Sequence, residues 1–131
     1  METLSSASLQ WIYLLNFVFL MMHETDAAYW KEWKLFGERG KSLSDKQGLT
    51  LFVLARIPIC IPLLYGLINI QNLAGLVISL VFSGFIIVHF VIHMRILGTF
   101  DGFKWPISYF IQIGMLSLSS VQLLMTLYLL S

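Results

Sequence analysis

The sequence predicts an all-α integral membrane protein, a bundle of four transmembrane helices with antiparallel neighbours and short loops. Three observations lead there. Of the 131 residues, 58% are hydrophobic and only 11% are charged, against about 25% charged in a soluble domain. That is more apolar surface than one small core can hide. The mean hydropathy is +0.82, and apolar runs near the roughly 20 residues needed to cross a bilayer recur along the chain. The length accommodates one domain, residues 1–131, with spans at about 4–23, 49–70, 73–96 and 106–130 and an interfacial segment at 24–36.

The first run ends at His23. No Lys or Arg precedes it and no small-residue cleavage site follows it, so it reads as a retained span and not a signal peptide. With neither Gly nor Pro before Gly37, the helix is expected to continue through Ala27–Phe36 along the interface, where Tyr29, Trp30 and Trp33 suit headgroup depth, as does Trp105 further on. Gly37 to Gly48 reads as a polar loop. Ser44 followed by Gln47 is a capping-box pattern that starts helix 2 near Asp45. Pro58 and Pro62 within that helix predict a bend, since each removes a backbone bond and crowds the preceding turn. Gln71 and Asn72 form a short turn, with Asn72 capping helix 3. Gly75, Ser79 and Ser83 then form a small-residue seam for close helix approach. Pro106 suits the first position of helix 4.

Short connections make neighbouring helices antiparallel. Both termini and the Gln71–Asn72 turn then share one side, which carries no Lys or Arg. The opposite loops hold Lys31, Lys34, Arg39, Lys41, Lys46, Arg95 and Lys104. The positive-inside rule puts those loops in the cytoplasm and both termini outside. A net charge of +1 gives no basic surface for nucleic acid. Cys60, the single cysteine, reads as a small buried apolar residue, Asn16 as a link between helices, and Asp101 as solvated.

Ionisable groups in or beside spans are functional candidates. His93 and His89 lie about 6 and 12 Å before the end of helix 3, and Arg56 about 10 Å inside helix 2, at 1.5 Å per residue. His23 closes helix 1 at the same end. His89 and His93, four apart, share one helix face. His23 and Asp26, three apart, do so as well, whereas Glu24 lies about 100° from His23 around the helix. The expected site is His23, His89 and His93 as metal ligands, Asp26 or Glu24 as base or fourth ligand, and Arg56 as an anion contact. Three nitrogens with a carboxylate suit zinc with an open position, and iron or manganese less well. Set against this are a purely structural polar cluster and an Arg56 that merely snorkels toward the headgroups. No serine-nucleophile motif, phosphate loop or dinucleotide fingerprint is present.

The run His23-Glu24-Thr25-Asp26-Ala27-Ala28-Tyr29-Trp30-Lys31-Glu32-Trp33 resembles the signature of a small uncharacterised family of bacterial four-helix membrane proteins. The resemblance implies the same architecture over most of the chain, a histidine-bearing third helix and a bacterial inner-membrane location, with no activity attached. By chemistry alone the three histidines are also similar to those of membrane zinc hydrolases such as the alkaline ceramidases. Those have more spans and a supporting serine and aspartate that this chain lacks. The expected function is a metal-dependent hydrolase or modifier of a lipid-like substrate. The alternatives are a non-enzymatic subunit or scaffold on a larger membrane protein, and a small transporter or lipid-binding module, which would require a homo-oligomer.

Overall fold

The computed structural model describes residues 2–35, 37–96 and 106–131. Asp101, Lys104, Trp105 and the side chain of Arg95 lie outside the described residues. The described chain is helical: α1 (Glu2–Tyr29), a 3-10 turn (Glu32–Leu35), α2 (Gly37–Ser42), α3 (Asp45–Leu54), α4 (Ile57–Ile68), α5 (Leu73–Ile96) and α6 (Pro106–Leu130). Among the described residues, three segments are long and apolar enough to cross a membrane: Asp45–Ile68, Leu73–Met94 and Pro106–Leu130.

Helix α1 carries Gln10, Asn16 and His23 within its apolar run. Two of these point inward. Leu9, Tyr13, Asn16, Leu20, His23 and Ala27 are buried at alternating spacings of four and three, while Trp11, Leu15, Val18 and Met22 form an exposed apolar stripe opposite. The same spacing places Ser108, Gln112, Met115, Ser119, Gln122 and Thr126 inside on α6, and Gly75, Ser79, Phe82 and Ile86 inside on α5. A repeat of seven residues keeps one face of a helix toward its partners, as in supercoiled bundles.

Hydrogen bonds fill this seam. Asn16 Nδ2 donates to Ser119 Oγ and Gln122 Oε1, both at 2.8 Å. Gln122 Nε2 donates to Ser79 Oγ at 3.0 Å, and the Ser79 and Thr126 hydroxyls meet at 2.9 Å. These contacts tie α1, α5 and α6 together, with α6 antiparallel to both. Tyr13 donates to the Leu63 carbonyl at 2.8 Å, which ties α4 to α1. Both termini and the turn before α5 therefore gather at one end of the bundle, and the histidines lie toward the other.

Three local expectations change. The first helix stops at Tyr29 instead of following the interface to Phe36, because Lys31 adopts a left-handed conformation (φ 57°) that ends helices even without glycine. The chain folds back, and Trp33 is buried against Ala27 and Phe52 where a headgroup anchor was expected. Tyr29 stays exposed. Gly37–Ser42 is a short helix and not a loop. Ser44 then caps α3 through the full capping box with Gln47.

The bend in the next segment is a break at Ala55–Arg56, between α3 and α4. Pro58 has no N–H for the Leu54 carbonyl, so the last turn of α3 cannot continue into α4. Asn72 caps α5, its Oδ1 accepting from the Gly75 N–H at 3.1 Å.

Two predictions follow from the folded-back segment. A Cβ at Gly48 would lie 2.0 Å from Trp33 Nε1, and the indole is rigid, so Gly48→Ala is expected to cost about 1–3 kcal/mol. Thermal unfolding in detergent checks it, with a shift in tryptophan emission as Trp33 leaves its site. Asp45, exposed at the start of α3, is held below the usual carboxylate range by hydrogen bonds from Lys31 and Lys34. A depressed folded-state pKa contributes stability above the normal aspartate range and loses it as pH falls through the folded value. Asp45→Asn should therefore quicken proteolysis near residues 31–45 at neutral pH, and the difference from wild type should vanish in acid and shrink in high salt.

Candidate metal centre

The three histidines meet. One nitrogen from each of His23, His89 and His93 lies within 4.8 Å of the others, and the Nε2 atoms of His23 and His89 are 3.1 Å apart. The seam of α1 brings His23 inward, and the i, i+4 spacing on α5 brings His89 and His93 together, ring centroids 4.3 Å apart and planes tilted by 54°. A tetrahedral zinc with bonds of 2.0–2.1 Å holds its nitrogens about 3.4 Å apart, so small ring rotations would seat an ion. Phe85 stacks on His89 at 5.7 Å and restricts that ring.

Two groups missed in the sequence complete the surroundings. Gln112 Nε2 lies 3.0 Å from His23 Nδ1, from a helix the sequence reading left out of the site. A glutamine amide turned by half a revolution offers its oxygen instead. It would then accept from Nδ1–H and leave Nε2 free to ligate, the orienting role that an outer hydrogen-bond partner has for a metal-bound histidine. The sequence held a signal: Gln112 sits seven residues before Ser119, in register with the polar seam.

Glu32 had no such marker. It enters only because Lys31 reverses the chain, and its Oε2 lies 3.9 Å from His93 Nε2. Burial pushes its carboxyl up to about 7, the charges of Glu24 and Asp26 push the same way, and Arg56 opposes them.

The other expected residues divide. Glu24 lines the cavity beside the triad and forms an ion pair with Arg56. The helix turn that seemed to aim it elsewhere instead points it at α4. Arg56 also lies over the Phe52 ring, 4.0 Å from its centroid, and lines the same cavity. Asp26 is half-buried and outside the cavity lining, and acts on the site through its charge on Glu32.

The triad forms one end of a cavity of about 900 Å³ between α1, α4 and α5. Three imidazoles and a nearby carboxylate, opening on an apolar space, are a donor set for a divalent ion with a free position. No curated protein and no solved structure matches the chain. The family model of DUF6713, a family of unknown function, matches residues 9–129, a stretch that includes every residue of this centre, and the chain belongs to that family.

Proposed function

We propose that the chain is a four-span membrane protein that holds a divalent metal, zinc by preference over iron or manganese, at His23, His89 and His93. It uses the ion to hydrolyse a lipid-like substrate. The observation that carries this reading is the convergence of three imidazoles from α1 and α5 at the mouth of an apolar cavity. Buried polar groups normally find conventional hydrogen-bond partners, and three clustered histidines have few to offer one another.

A bound ion would polarise a substrate carbonyl and make water acidic enough to be activated near neutral pH. Glu32 is the base in this scheme, since Glu24 is committed to Arg56 and Asp26 stands off the cavity. Water adds to the acyl carbon, the bond to the departing oxygen or nitrogen breaks, and the proton given up by water passes through Glu32 to the leaving group. Support for α1 as the fourth span comes from its exposed apolar stripe and from its 28 residues, about 42 Å at 1.5 Å each, against a hydrocarbon core of about 30 Å. In this reading the triad lies in the cytoplasmic leaflet and both termini lie outside, in a bacterial inner membrane, and the basic loops support that orientation.

A second reading, a subunit on a larger membrane protein, is favoured by α3 and α4. Only 6% of their most apolar stretch is buried within the chain. Co-purification of a defined partner, with folding unaffected by loss of the histidines, would support it over the metal enzyme.

Metal analysis of the purified protein is the deciding test. Wild type should carry stoichiometric zinc, His89→Ala and His93→Ala should lose it, and Gln112→Ala should weaken affinity about 10- to 100-fold. Glu32→Gln should keep the ion, as a base would and a ligand would not. No stoichiometric zinc, iron or manganese after reconstitution would remove the proposal. Orientation is checked separately in a Cys60→Ser background. Ser131→Cys should react with an impermeant thiol reagent in intact cells, and Glu38→Cys only after the membrane is opened. The reverse pattern would invert the topology.

A further inference from the structure

The triad occupies only one end of the cavity, and the rest has a chemistry of its own. Its wall along α5 runs from Val77 to His93, about 24 Å at 1.5 Å per residue. The polar groups gather at the His93 end. From Phe85 down to Val77, and along α4 from Pro58 to Leu63, the lining is apolar apart from the Cys60 thiol. The far end is closed by close packing. A Cβ at Gly66 would meet Ile78 at 2.5 Å and the Tyr13 hydroxyl at 3.0 Å, and that hydroxyl also grips the Leu63 carbonyl.

The side is not closed. Val77, Val81, Phe85 and Ile92 line the cavity yet remain about half exposed or more, along the ridge of α5 that faces away from α6. The space is therefore a slot: polar at one end, sealed at the other, and open along its flank to whatever surrounds the bundle.

Resting on the metal-site reading above, we infer that this slot binds a single-chain acyl amphiphile. Its acyl linkage lies at the histidines and its chain lies along α5 toward Leu63 and Val77. The volume accommodates one such chain, because about 900 Å³ is near the top of the range of about 300–1,000 Å³ for one drug-sized ligand. That suits one long chain with its polar end. The open flank sets the route, since a chain sliding in from bilayer hydrocarbon never crosses water. Transfer from lipid into an apolar slot yields little hydrophobic gain, because both surroundings are equally apolar. Selection therefore falls on the polar end and on the sealed floor, and the floor limits chain length.

The test uses long-chain monoacylglycerol probes in nanodiscs, one with a diazirine at the chain terminus and one with it beside the headgroup. After photolysis the terminal probe should label Leu63, Val77 and Ile78, and the headgroup-proximal probe Phe85 to Ile92. Val81→Trp, at an exposed apolar position that tolerates a large ring, should cut terminal labelling at least tenfold and leave metal content unchanged. Labelling spread evenly over outward side chains such as Val121 and Leu124 of α6, or unaffected by Val81→Trp, would overturn the proposal. So would protein–protein crosslinks showing that a second copy of the chain fills the slot. Register-specific labelling in a metal-free protein would leave the slot standing and remove the metal reading. Stoichiometric metal with even labelling would do the reverse.

Discussion

The fold depends on where a mostly apolar chain puts its polar side chains. Asn16, Ser79, Ser119, Gln122 and Thr126 are fully buried and bond to one another across three helices. Apolar surface cannot drive helix association when the surroundings are hydrocarbon, and packing of small residues with interhelical hydrogen bonds takes over. Each such bond is worth only about 0.6 kcal/mol on average, yet leaving the same group buried and unpaired costs about 1–3 kcal/mol. The seam acts chiefly by penalising every other register of α1, α5 and α6.

That register also builds the centre. His23 is the next inward position on α1 after Leu20, and Gln112 the matching one on α6 before Met115. His89 and His93 continue the inward face of α5 beyond Ile86. The imidazoles are held by the same spacing that aligns the seam, on rigid helices, which is where a preorganised donor set is most accurately placed. Glu32 and Arg56 come from a reversed turn and a helix break, so the groups proposed to move protons or balance charge sit on the less regular elements.

Much of this was legible in the sequence because it rests on local chemistry. The Ser44–Gln47 capping box, the Asn72 cap, the start at Pro106 and the proximity of His23 to His89 and His93 all follow from spacing within one helix or from counting residues from its ends. Glu32 and Trp33 escaped the sequence for one reason. A lysine at Lys31 in the left-handed region costs roughly 1–2 kcal/mol and carries no sequence mark. Burial of Trp33, in space left by the missing side chains of Gly40 and Gly48, offsets that cost only once the chain has folded back. Gln112 was readable in principle, but only after the seven-residue repeat of α6 was matched to that of α1.

The seam omits α3 and α4, and the omission explains the cavity. Pro58 and Pro62 forbid a continuous, evenly packed helix, and α4 meets α1 through backbone carbonyls, Leu63 held by Tyr13 and Leu67 by Gln10. At the Gln71–Asn72 turn α4 is pinned to α5. Beyond the break at Ala55–Arg56, α3 rests mainly on the 3-10 turn. A hairpin fixed at one end and interrupted at the other leaves a wedge of space, with Arg56, Glu24 and the histidines at its open end. Segments with few buried contacts are the ones that open at low free-energy cost. The arm that walls the slot is thus also the part of the chain that can yield to a ligand without disturbing α1 and α5, the helices that hold the histidines.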